Sequence, residues 1–455
     1  MKRTYILAIV GVIGIVTFIL AVVVMLINNK EIYTMSGMVM NVNGESFTIR
    51  DENNLIYTIN NKEKLDIAAG DNILIEYTGL IDNTNSVQDI KVVDYKQTDE
   101  ETSSSGIPKS WLDNGIFSKY YNLAYDKLQK MSLEEKIGQV ILARYPDSNA
   151  IDDLKKYKLS GFLFFEKDFK DKEKSEVQNM IKNLQTNSSI PLLTAVDEEG
   201  GKVVRVSSNP KLVAEKFKSP KELYDKGGFT EIKNDTINKS NVLKELGINL
   251  NLAPVVDVAT TDTAYMYPRT LGLDAKETSK YAKTVIEASK GTGVSYSLKH
   301  FPGYGNAEDT HSNITKIDDS YTDIVNNFYP PFEAGIESGA EAIIVNHNIY
   351  ENIDKDNPAS LSAITHNILR NDLKFTGVII TDNLDMGALQ NIDDSTIKAV
   401  LAGNDIIITT DYAGSFNAIK NAINGNTLSL NTINKMTFKV LAWKYSKGLM
   451  YENQK

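Results

Sequence analysis

The stretch from Phe375 to Asp385 reads FTGVIITDNLD, an apolar run followed at once by polar and charged residues. A strand that is buried on both faces has this pattern, because helices cover both sides of a parallel sheet. Seven similar runs occur after Trp111, namely GQVILAR, SGFLFFEKD, PLLTAVDEEGG, INLNLAPVVDV, VSYSLKHFPG, AEAIIVNHN and NDIIITTD. These eight runs, with amphipathic segments between them, predict a (β/α)8 TIM-like barrel, and an open doubly wound sheet is the alternative.

A barrel builds its active site from the loops that follow its strands, so polar residues that end the apolar runs are candidates for chemistry. This rule selects Asp197, Lys299, His300, Asn346, His347 and Asp382, with Asp257 and Asp411 as further members. The alternative is that strand ends are polar because they reach the surface. Upstream, SLEE at Ser132 to Glu135 is a capping box, which predicts the start of a helix.

Residues 1–30 contain an uncharged apolar segment from Tyr5 to Ile27, YILAIVGVIGIVTFILAVVVMLI. As a helix it is long enough for a hydrocarbon core of about 30 Å. Lys2 and Arg3 precede it, so the positive-inside rule puts the N-terminus in the cytoplasm and the remaining chain on the cell-wall side. A cleaved signal peptide is the alternative, although its apolar region is usually only about 7–15 residues long. We therefore expect a single-pass membrane anchor.

Residues 31–96 predict a small all-β domain, because short runs such as SGMVMNV, SFTIRD and NILIEYTGLI alternate with turn residues. It is either an OB-like barrel that binds oligosaccharide or a spacer between the membrane and the enzyme. Residues 97–110 are polar and rich in serine, which is typical of a flexible linker. The barrel domain is expected to occupy residues 111–455.

The overall composition excludes several classes of function. A net charge of −10 and a pI near 5.2 argue against a nucleic-acid partner, which requires clustered Lys and Arg. Because the chain has no cysteine, disulfides, thiolate metal sites and cysteine nucleophiles are excluded. No group of His, Asp and Glu residues has convincing metal-ligand spacing, so neither a metal nor another cofactor is expected.

Asp309 and His311 lie two residues apart in FPGYGNAEDTHSN, a segment without helix or strand periodicity. A carboxylate that accepts from one imidazole nitrogen fixes the tautomer and leaves the other nitrogen to exchange a proton with substrate. The pair is thus a candidate acid/base unit. On its own, it fits a metal ligand or a structural loop contact equally well.

The longer segment KHFPGYGNAEDTH, from Lys299 to His311, resembles the signature of glycoside hydrolase family 3, in the branch of bacterial β-N-acetylglucosaminidases. The resemblance extends over most of the chain after Trp111. Further blocks follow the family order, namely DEEGGKVVR, LGINLNLAPVVDV, PRTLG, PASLSAITHNILR, GVIITDNLDM and AGNDIII.

This resemblance implies the catalytic roles. It makes Asp382 the nucleophile, which attacks the anomeric carbon and forms a covalent glycosyl-enzyme with retention of configuration. His311 matches the general acid/base of the branch, and Asp309 matches the carboxylate that orients it. Their loop is expected to move, so that His311 lies away from Asp382 until substrate binds.

The resemblance also implies which residues bind the sugar. The positions that match are Asp197, Arg269, Lys299 and His300. Weaker candidates are Arg205, Asn346 and His347, whereas His366 lies in a helix-like segment and is expected to be structural. The chain departs from the commoner family residues at Glu198, Lys202 and Asn383, which leaves the fine substrate preference open.

The implied function is a retaining exo-acting β-N-acetylhexosaminidase that releases terminal N-acetylglucosamine from peptidoglycan-type glycans. A family 3 β-glucosidase of broader specificity is one alternative, although the Asp309–His311 pair argues against it. A non-catalytic wall-binding protein is the other, and it would leave Asp382 and His311 without a role.

Overall fold

The computed structural model describes residues 32–43, 45–51, 55–62, 64–81, 87–88, 90–97, 102–305 and 314–451. The chain divides into two compact units, Met1–Asp99 and Glu100–Lys455. The apolar segment Tyr5–Ile27 and the pair Asp309 and His311 lie outside the described residues. The movement predicted for the loop of that pair therefore stays a prediction. Each helix within the described residues is too short or too polar to cross a bilayer.

The N-terminal unit contains a six-stranded sheet in the order β5-β3-β2-β1-β4-β6. Its strands are β1 (Tyr33–Val42), β2 (Ser46–Asp51), β3 (Ile56–Asn60), β4 (Asn72–Thr78), β5 (Val87–Gln88) and β6 (Lys91–Gln97). Alternate residues such as Phe47 and Ile49, or Ile73 and Ile75, are buried in its core, as the period of a strand requires. The predicted all-β domain is therefore confirmed, whereas its OB-like character stays a prediction.

The second unit contains a closed barrel of eight parallel strands, and each of the eight apolar runs supplies one of them. The prediction of a TIM-like barrel is confirmed, and the doubly wound sheet is excluded. The strands of this unit are β7 (Ile141–Arg144), β8 (Gly161–Phe164), β9 (Leu193–Val196), β10 (Leu250–Asn251), β11 (Ser295–Phe301), β12 (Lys316–Ile317), β13 (Ala342–Val345), β14 (Ile349–Tyr350), β15 (Val378–Asn383) and β16 (Ile406–Thr409). Of these, β12 and β14 form a separate parallel pair.

Helices connect the strands of the barrel. They are α1 (Tyr121–Leu128), α2 (Leu133–Gln139), α3 (Ala150–Tyr157), α4 (Glu166–Phe169), α5 (Lys174–Thr186), α6 (Pro220–Leu246), α7 (Ala275–Ser289), α8 (Tyr321–Asp323), α9 (Tyr329–Glu337), α10 (Ala363–Asn367), α11 (Ser395–Ala402), α12 (Tyr412–Asn424) and α13 (Leu430–Ser446). The predicted capping box is present, because Ser132 and Glu135 bond reciprocally at the start of α2. Single 3₁₀ or π turns occupy Lys109–Trp111, Ser118–Tyr120, Tyr267–Arg269, Ile324–Phe328, Ala359–Leu361, Ile368–Asp372 and Gly387–Leu389.

The barrel strands are buried on both faces, as their continuous apolar runs predicted. Neighbouring residues of one strand belong to different clusters: Ile343 packs in one and Ile344 in the other, and Ile379 and Ile380 divide in the same way. One of these clusters also contains Trp443 of α13. Packing on both sides holds the strand ends, and the polar residues that follow them, in fixed positions.

The predicted linker, residues 97–110, contains a buried side chain. Ile107 is only 1% exposed and packs in a cluster with Trp111 and Phe117 of the barrel unit. Thr102 and Pro108 pair as an isolated antiparallel bridge. Because serine and charged residues dominate the local composition, a single anchoring isoleucine left no periodic signal in the sequence.

Candidate active site

The predicted rim residues lie at one end of the barrel. Because the strands are parallel, their carboxyl ends meet at the same face. Asp197 directly follows β9, Lys299 and His300 lie in β11, Asn346 and His347 directly follow β13, and Asp382 is near the end of β15.

The centre of the rim is a group of alternating charges. The Lys299 ammonium lies 2.8 Å from Asp197 Oδ1 and 2.6 Å from Glu199 Oε1. Arg269, in the turn Tyr267–Arg269, donates to both oxygens of Glu199, at 2.9 Å from Nε and 2.7 Å from Nη2. The side chains of Glu199 and Lys299 are only 2% and 4% exposed. Such a buried network has a fixed geometry because each charge is held by its neighbours.

The charges also determine the protonation states. Burial on its own raises the pKa of Glu199, but the neighbouring Arg269 and Lys299 outweigh it and hold that pKa well below its usual range. The pKa of Asp197 is lowered for the same reason, chiefly by Lys299 and then by Arg205, against the effect of burial. Burial lowers the pKa of Lys299, yet its two carboxylate neighbours raise it overall. All three groups are therefore charged at neutral pH.

His300 is oriented by a buried carboxylate. Its Nδ1 lies 2.8 Å from Asp257 Oδ2, and the other oxygen of Asp257 accepts from the backbone N–H of Tyr304 at 2.8 Å. A carboxylate partner fixes Nδ1 as the donor, which leaves Nε2 as an acceptor in the neutral ring. This Nε2 lies 3.5 Å from Arg269 Nη2. Asp257 thereby joins the rim as a positioning residue.

Lys299 and His300 both reach the site although they are adjacent in β11. In a regular strand their side chains would point to opposite faces. The pairing of β11 with β13 is irregular between Lys299 and Phe301, where the register shifts. A register shift of this kind redirects a side chain, and such irregularities occur often beside active sites.

Asp382 differs from the other acidic residues of the rim. It is half-buried, its Oδ1 accepts from the backbone N–H of Asn383 at 2.8 Å, and it forms no ion pair within the described residues. Asp385, three residues later, already has hydrogen-bond partners: it accepts hydrogen bonds from Thr409 Oγ1 at 3.0 Å and from the backbone N–H of Thr410. Of the two, Asp382 is the carboxylate available to a ligand.

Asn346 and His347 connect neighbouring strands. Asn346 Nδ2 donates to the His300 carbonyl at 3.2 Å and to the Tyr350 hydroxyl at 2.8 Å. His347 Nε2 donates to the Asn383 carbonyl at 2.9 Å, and its Nδ1 lies 2.7 Å from Ser360 Oγ. Both side chains are fully buried. They therefore fix the strand ends that carry His300 and Asp382.

Arg205 and Glu198 form one edge of the site. Arg205 Nη2 lies 3.4 Å from Asp197 Oδ2, and its guanidinium lies over the ring of Phe165. Glu198 is fully buried and accepts from the backbone N–H groups of Arg205 and Val206, at 2.8 and 2.6 Å. Glu198, where the chain departs from the commoner family residue, thus holds the backbone at Arg205 and Val206 through its carboxylate.

Glu199 is the main residue that the sequence analysis missed. The signal was present, because two cations assigned to one buried pocket require anions, and Glu199 follows an apolar run in DEEGG. His366 is structural as predicted: it is buried in α10, where its Nδ1 lies 2.8 Å from the Ser362 carbonyl. Within the described residues, no cluster of three His, Asp or Glu side chains has the arrangement of a metal site.

The rim combines fixed hydrogen-bond donors and acceptors with one carboxylate, Asp382, that has no ion-pair partner among the described residues. Sugar hydroxyls and a glycosidic centre require groups of both kinds. The family model "Glycosyl hydrolase family 3 N terminal domain" matches residues 132–442, more than half of the chain. The chain therefore belongs to glycosyl hydrolase family 3 and is a glycoside hydrolase, as the sequence resemblance predicted.

Individual relatives agree with this assignment. A β-hexosaminidase of Photobacterium profundum is 30% identical over 289 residues, which cover 61% of this chain and 82% of that protein. A β-hexosaminidase of Mycobacterium tuberculosis is 25% identical over 56% of this chain and 68% of its own. Among solved structures, a family 3 β-N-acetylglucosaminidase from Paenibacillus superposes with a TM-score of 0.66 at 23% identity, covering 71% of this chain and 65% of that one.

Proposed function

We propose that this enzyme is a retaining, exo-acting β-N-acetylhexosaminidase that releases terminal β-linked N-acetylglucosamine from peptidoglycan-type glycans. The observation that carries the proposal is the charge cluster of Asp197, Glu199, Arg269 and Lys299 on the same rim as Asp382, a carboxylate without a cation among the described residues. The relatives named β-hexosaminidase support the choice of sugar.

In the proposed mechanism, Asp197, Lys299 and the other cluster members hold the terminal sugar, and Asp382 attacks its anomeric carbon. The transition state carries positive charge at that carbon, so a carboxylate both stabilises it and forms the covalent intermediate. In the neutral ring, His300 accepts a hydrogen bond from the sugar through Nε2, because Nδ1 is the donor to Asp257.

The acid/base role is proposed for His311, with Asp309 as its orienting carboxylate. An imidazole with an ordinary pKa near 6.5 can protonate the leaving oxygen and later deprotonate water close to neutral pH. This assignment rests on the sequence resemblance, because both residues lie outside the described part of the chain.

The decisive experiment compares the full chain on p-nitrophenyl N-acetyl-β-glucosaminide and on the corresponding glucoside. We expect turnover of the former, and a loss of about 10³-fold or more in kcat for Asp382→Ala and His311→Ala. Asp393→Ala, an exposed aspartate on the following loop, is the matched control and keeps wild-type rates. Preference for the glucoside would favour the β-glucosidase alternative, and background rates on both would favour a wall-binding protein.

The location at the outer membrane face is also a proposal. It rests on the uncharged segment Tyr5–Ile27 and on the basic residues Lys2 and Arg3 before it. An anchored enzyme of this orientation would act on glycans of the cell wall. Protease accessibility of residues 314–451 on intact cells with the wall removed tests it, since a cytoplasmic enzyme would be protected.

A further inference from the structure

Helix α6 packs a polar face against the barrel. Thr236, Lys239 and Ser240 of this helix are all buried. Ser240 Oγ lies 2.9 Å from the hydroxyl of Tyr296 in β11, so this face of the helix points towards the barrel strands. The buried face of a helix in a globular protein is usually apolar, and a lysine is rarely buried unless it is paired. None of these residues was a candidate in the sequence analysis, and Lys239 therefore requires an explanation.

The Lys239 ammonium has two partners. It lies 3.1 Å from Asp235 Oδ2, one helical turn earlier in the chain. It also donates to the backbone carbonyl of Glu199 at 3.1 Å. Among the described residues, no backbone N–H donates to that carbonyl. The peptide of Glu199, whose carboxylate holds Arg269 and Lys299, is thus hydrogen-bonded through Lys239.

Both charges of the Lys239–Asp235 pair are shielded from solvent. The two side chains are 7% and 12% exposed. Together with Glu199 they line a cavity of about 20 Å³, which has room for about one water molecule. Burial lowers the pKa of Lys239, but its anionic neighbours, chiefly Asp235, raise it overall. Lys239 is therefore charged at neutral pH, and its hydrogen bond to the Glu199 carbonyl is charge-assisted and weakly screened.

Lys239 also contacts the segment against which the turn after Glu199 packs. Gly201 of this turn has a φ of +65°, which favours glycine, and its N–H donates to the Phe217 carbonyl at 2.8 Å. The Lys239 ammonium lies 5.1 Å from the centre of the Phe217 ring. Lys239 therefore touches both sides of the turn, the carbonyl of Glu199 and the ring of Phe217.

A displacement of the Glu199 backbone would move its carboxylate away from the two cations that it holds. Arg269 and Lys299 lie 2.6 to 2.9 Å from the carboxylate oxygens. Hydrogen bonds of this length weaken when they are stretched by about 0.5 Å. Asp382 lies on β15, and its hydrogen bond to the Asn383 N–H is separate from this network. Loss of the Lys239 ammonium should therefore disturb sugar binding more than the nucleophile.

We propose that Lys239 is a positioning residue for sugar binding. Its ammonium, held by Asp235, fixes the backbone of Glu199, so that the Glu199 carboxylate keeps Arg269 and Lys299 in the geometry that binds the terminal sugar. The inference rests on the proposed hexosaminidase function and adds to it a residue that lies behind the site and does not touch substrate.

The test measures how tightly each variant of the full chain binds the terminal sugar. Lys239→Met keeps the length of the side chain but removes its charge and its donor. With p-nitrophenyl N-acetyl-β-glucosaminide as substrate, we expect KM and the inhibition constant of N-acetylglucosamine to rise by about tenfold, the effect of one lost charge-assisted hydrogen bond. We expect kcat to stay within about threefold of wild type, because a loss of binding shared by ground state and transition state leaves kcat unchanged.

A purely structural role predicts the opposite pattern. The molecules that remain folded would bind the sugar as wild type does, and only the amount of active enzyme, and with it the apparent kcat, would fall. A wild-type inhibition constant for Lys239→Met would therefore overturn the inference.

A double variant separates positioning from stability. Asp235→Asn combined with Lys239→Met removes both charges, so that no buried carboxylate is left without its cation. Its urea unfolding midpoint should lie above that of Lys239→Met. Its inhibition constant should nevertheless stay raised, because the Glu199 carbonyl still lacks its donor. If the inhibition constant returned to the wild-type value together with the midpoint, Lys239 would be structural only.

Lys233→Met is the matched control, since Lys233 is an exposed lysine of the same helix, and it keeps the wild-type constants. Saturation-transfer NMR with N-acetylglucosamine makes the same comparison of affinities without turnover. A wild-type chain that binds this sugar but does not cleave the substrate contradicts the proposed function, and the affinities still decide the role of Lys239. A wild-type chain that neither binds nor cleaves contradicts both.

Discussion

Glu199 holds the two cations that are assigned to sugar binding, Arg269 and Lys299. Replacing it by glutamine keeps the shape but leaves two buried positive charges with only Asp197 to offset them. We expect Glu199→Gln to lower the free energy of unfolding by about 3 kcal/mol, the cost of breaking a buried ion pair. Because the displaced cations hold substrate poorly, kcat/KM should fall by about 100-fold.

Urea unfolding and kinetics on the nitrophenyl substrate measure both effects. Glu245→Gln is the matched control, because Glu245 pairs with Lys174 at the surface, where both side chains are about half exposed. Its unfolding free energy should change by less than about 0.5 kcal/mol. Equal behaviour of the two variants would contradict the central role of Glu199.

The same substitution has a predictable pH dependence. The folded pKa of Glu199 is lowered below its ordinary value of 4.5, so its stabilisation is complete above that value and is lost as the pH falls through the folded pKa. Within this acidic window the wild type should lose up to about 1.4 kcal/mol more per pH unit than Glu199→Gln does. Parallel stability curves for the two proteins would refute this sign.

For single residues, the sequence predicted which residue types lie at the strand ends. It did not predict which side chains they contact. Asp197, Lys299 and His300 were found because each ends a buried apolar run. Glu199 was missed because its importance depends on Arg269, which lies 70 residues away in the chain. Contacts of that kind depend on loop geometry, which periodicity does not encode.

Among the structural elements, the loop that follows β15 begins directly after the strand end that contains Asp382. Asp385 ties this loop to Thr409 and Thr410. Asp385→Ala removes these bonds without touching the nucleophile, so we expect kcat to fall by about 10- to 100-fold, in keeping with a small misplacement of a catalytic group. Thr409→Val removes only one of the bonds and should have a smaller effect.

This outcome separates positioning from chemistry. Asp382→Ala should be far more damaging than Asp385→Ala, and circular dichroism should show that both remain folded. If Asp385→Ala were the more damaging variant, the assignment of the nucleophile within TDNLDM would have to be reversed.

The barrel strands were predictable as elements because each is buried on both faces and therefore reads as a continuous apolar run. Even β10, which has only two residues, was found, since it lies in the longer run INLNLAPVVDV. The turn that carries Arg269 was not, because three residues of 3₁₀ helix leave no period. The register shift between Lys299 and Phe301 was not predictable either, because it is a local irregularity in the pairing of two strands and leaves no periodic pattern.

For the whole molecule, the sequence separated a small all-β unit from the barrel, and the two units each have a hydrophobic core of their own. The bounds of the linker between them stay a prediction. Composition alone suggested a linker up to Ser110, whereas Ile107 is already packed within the barrel unit. The boundary of a folded unit depends on which individual side chains pack into its hydrophobic core. This packing is a property of the folded chain and not of the local composition.

Every described residue of the candidate site belongs to the unit Glu100–Lys455, and so do Asp309 and His311. We therefore expect a protein that begins at Glu100 to keep kcat/KM on the nitrophenyl substrate within about twofold of the full chain, because both hydrophobic clusters of the barrel unit consist of residues from that unit. A protein that begins at Trp111 is the informative comparison. It lacks Ile107 and the Thr102–Pro108 bridge, so it should lose about 1–3 kcal/mol in urea unfolding while its site stays intact. A large loss of activity on removing residues 1–99 would instead show that the β-unit contributes to catalysis.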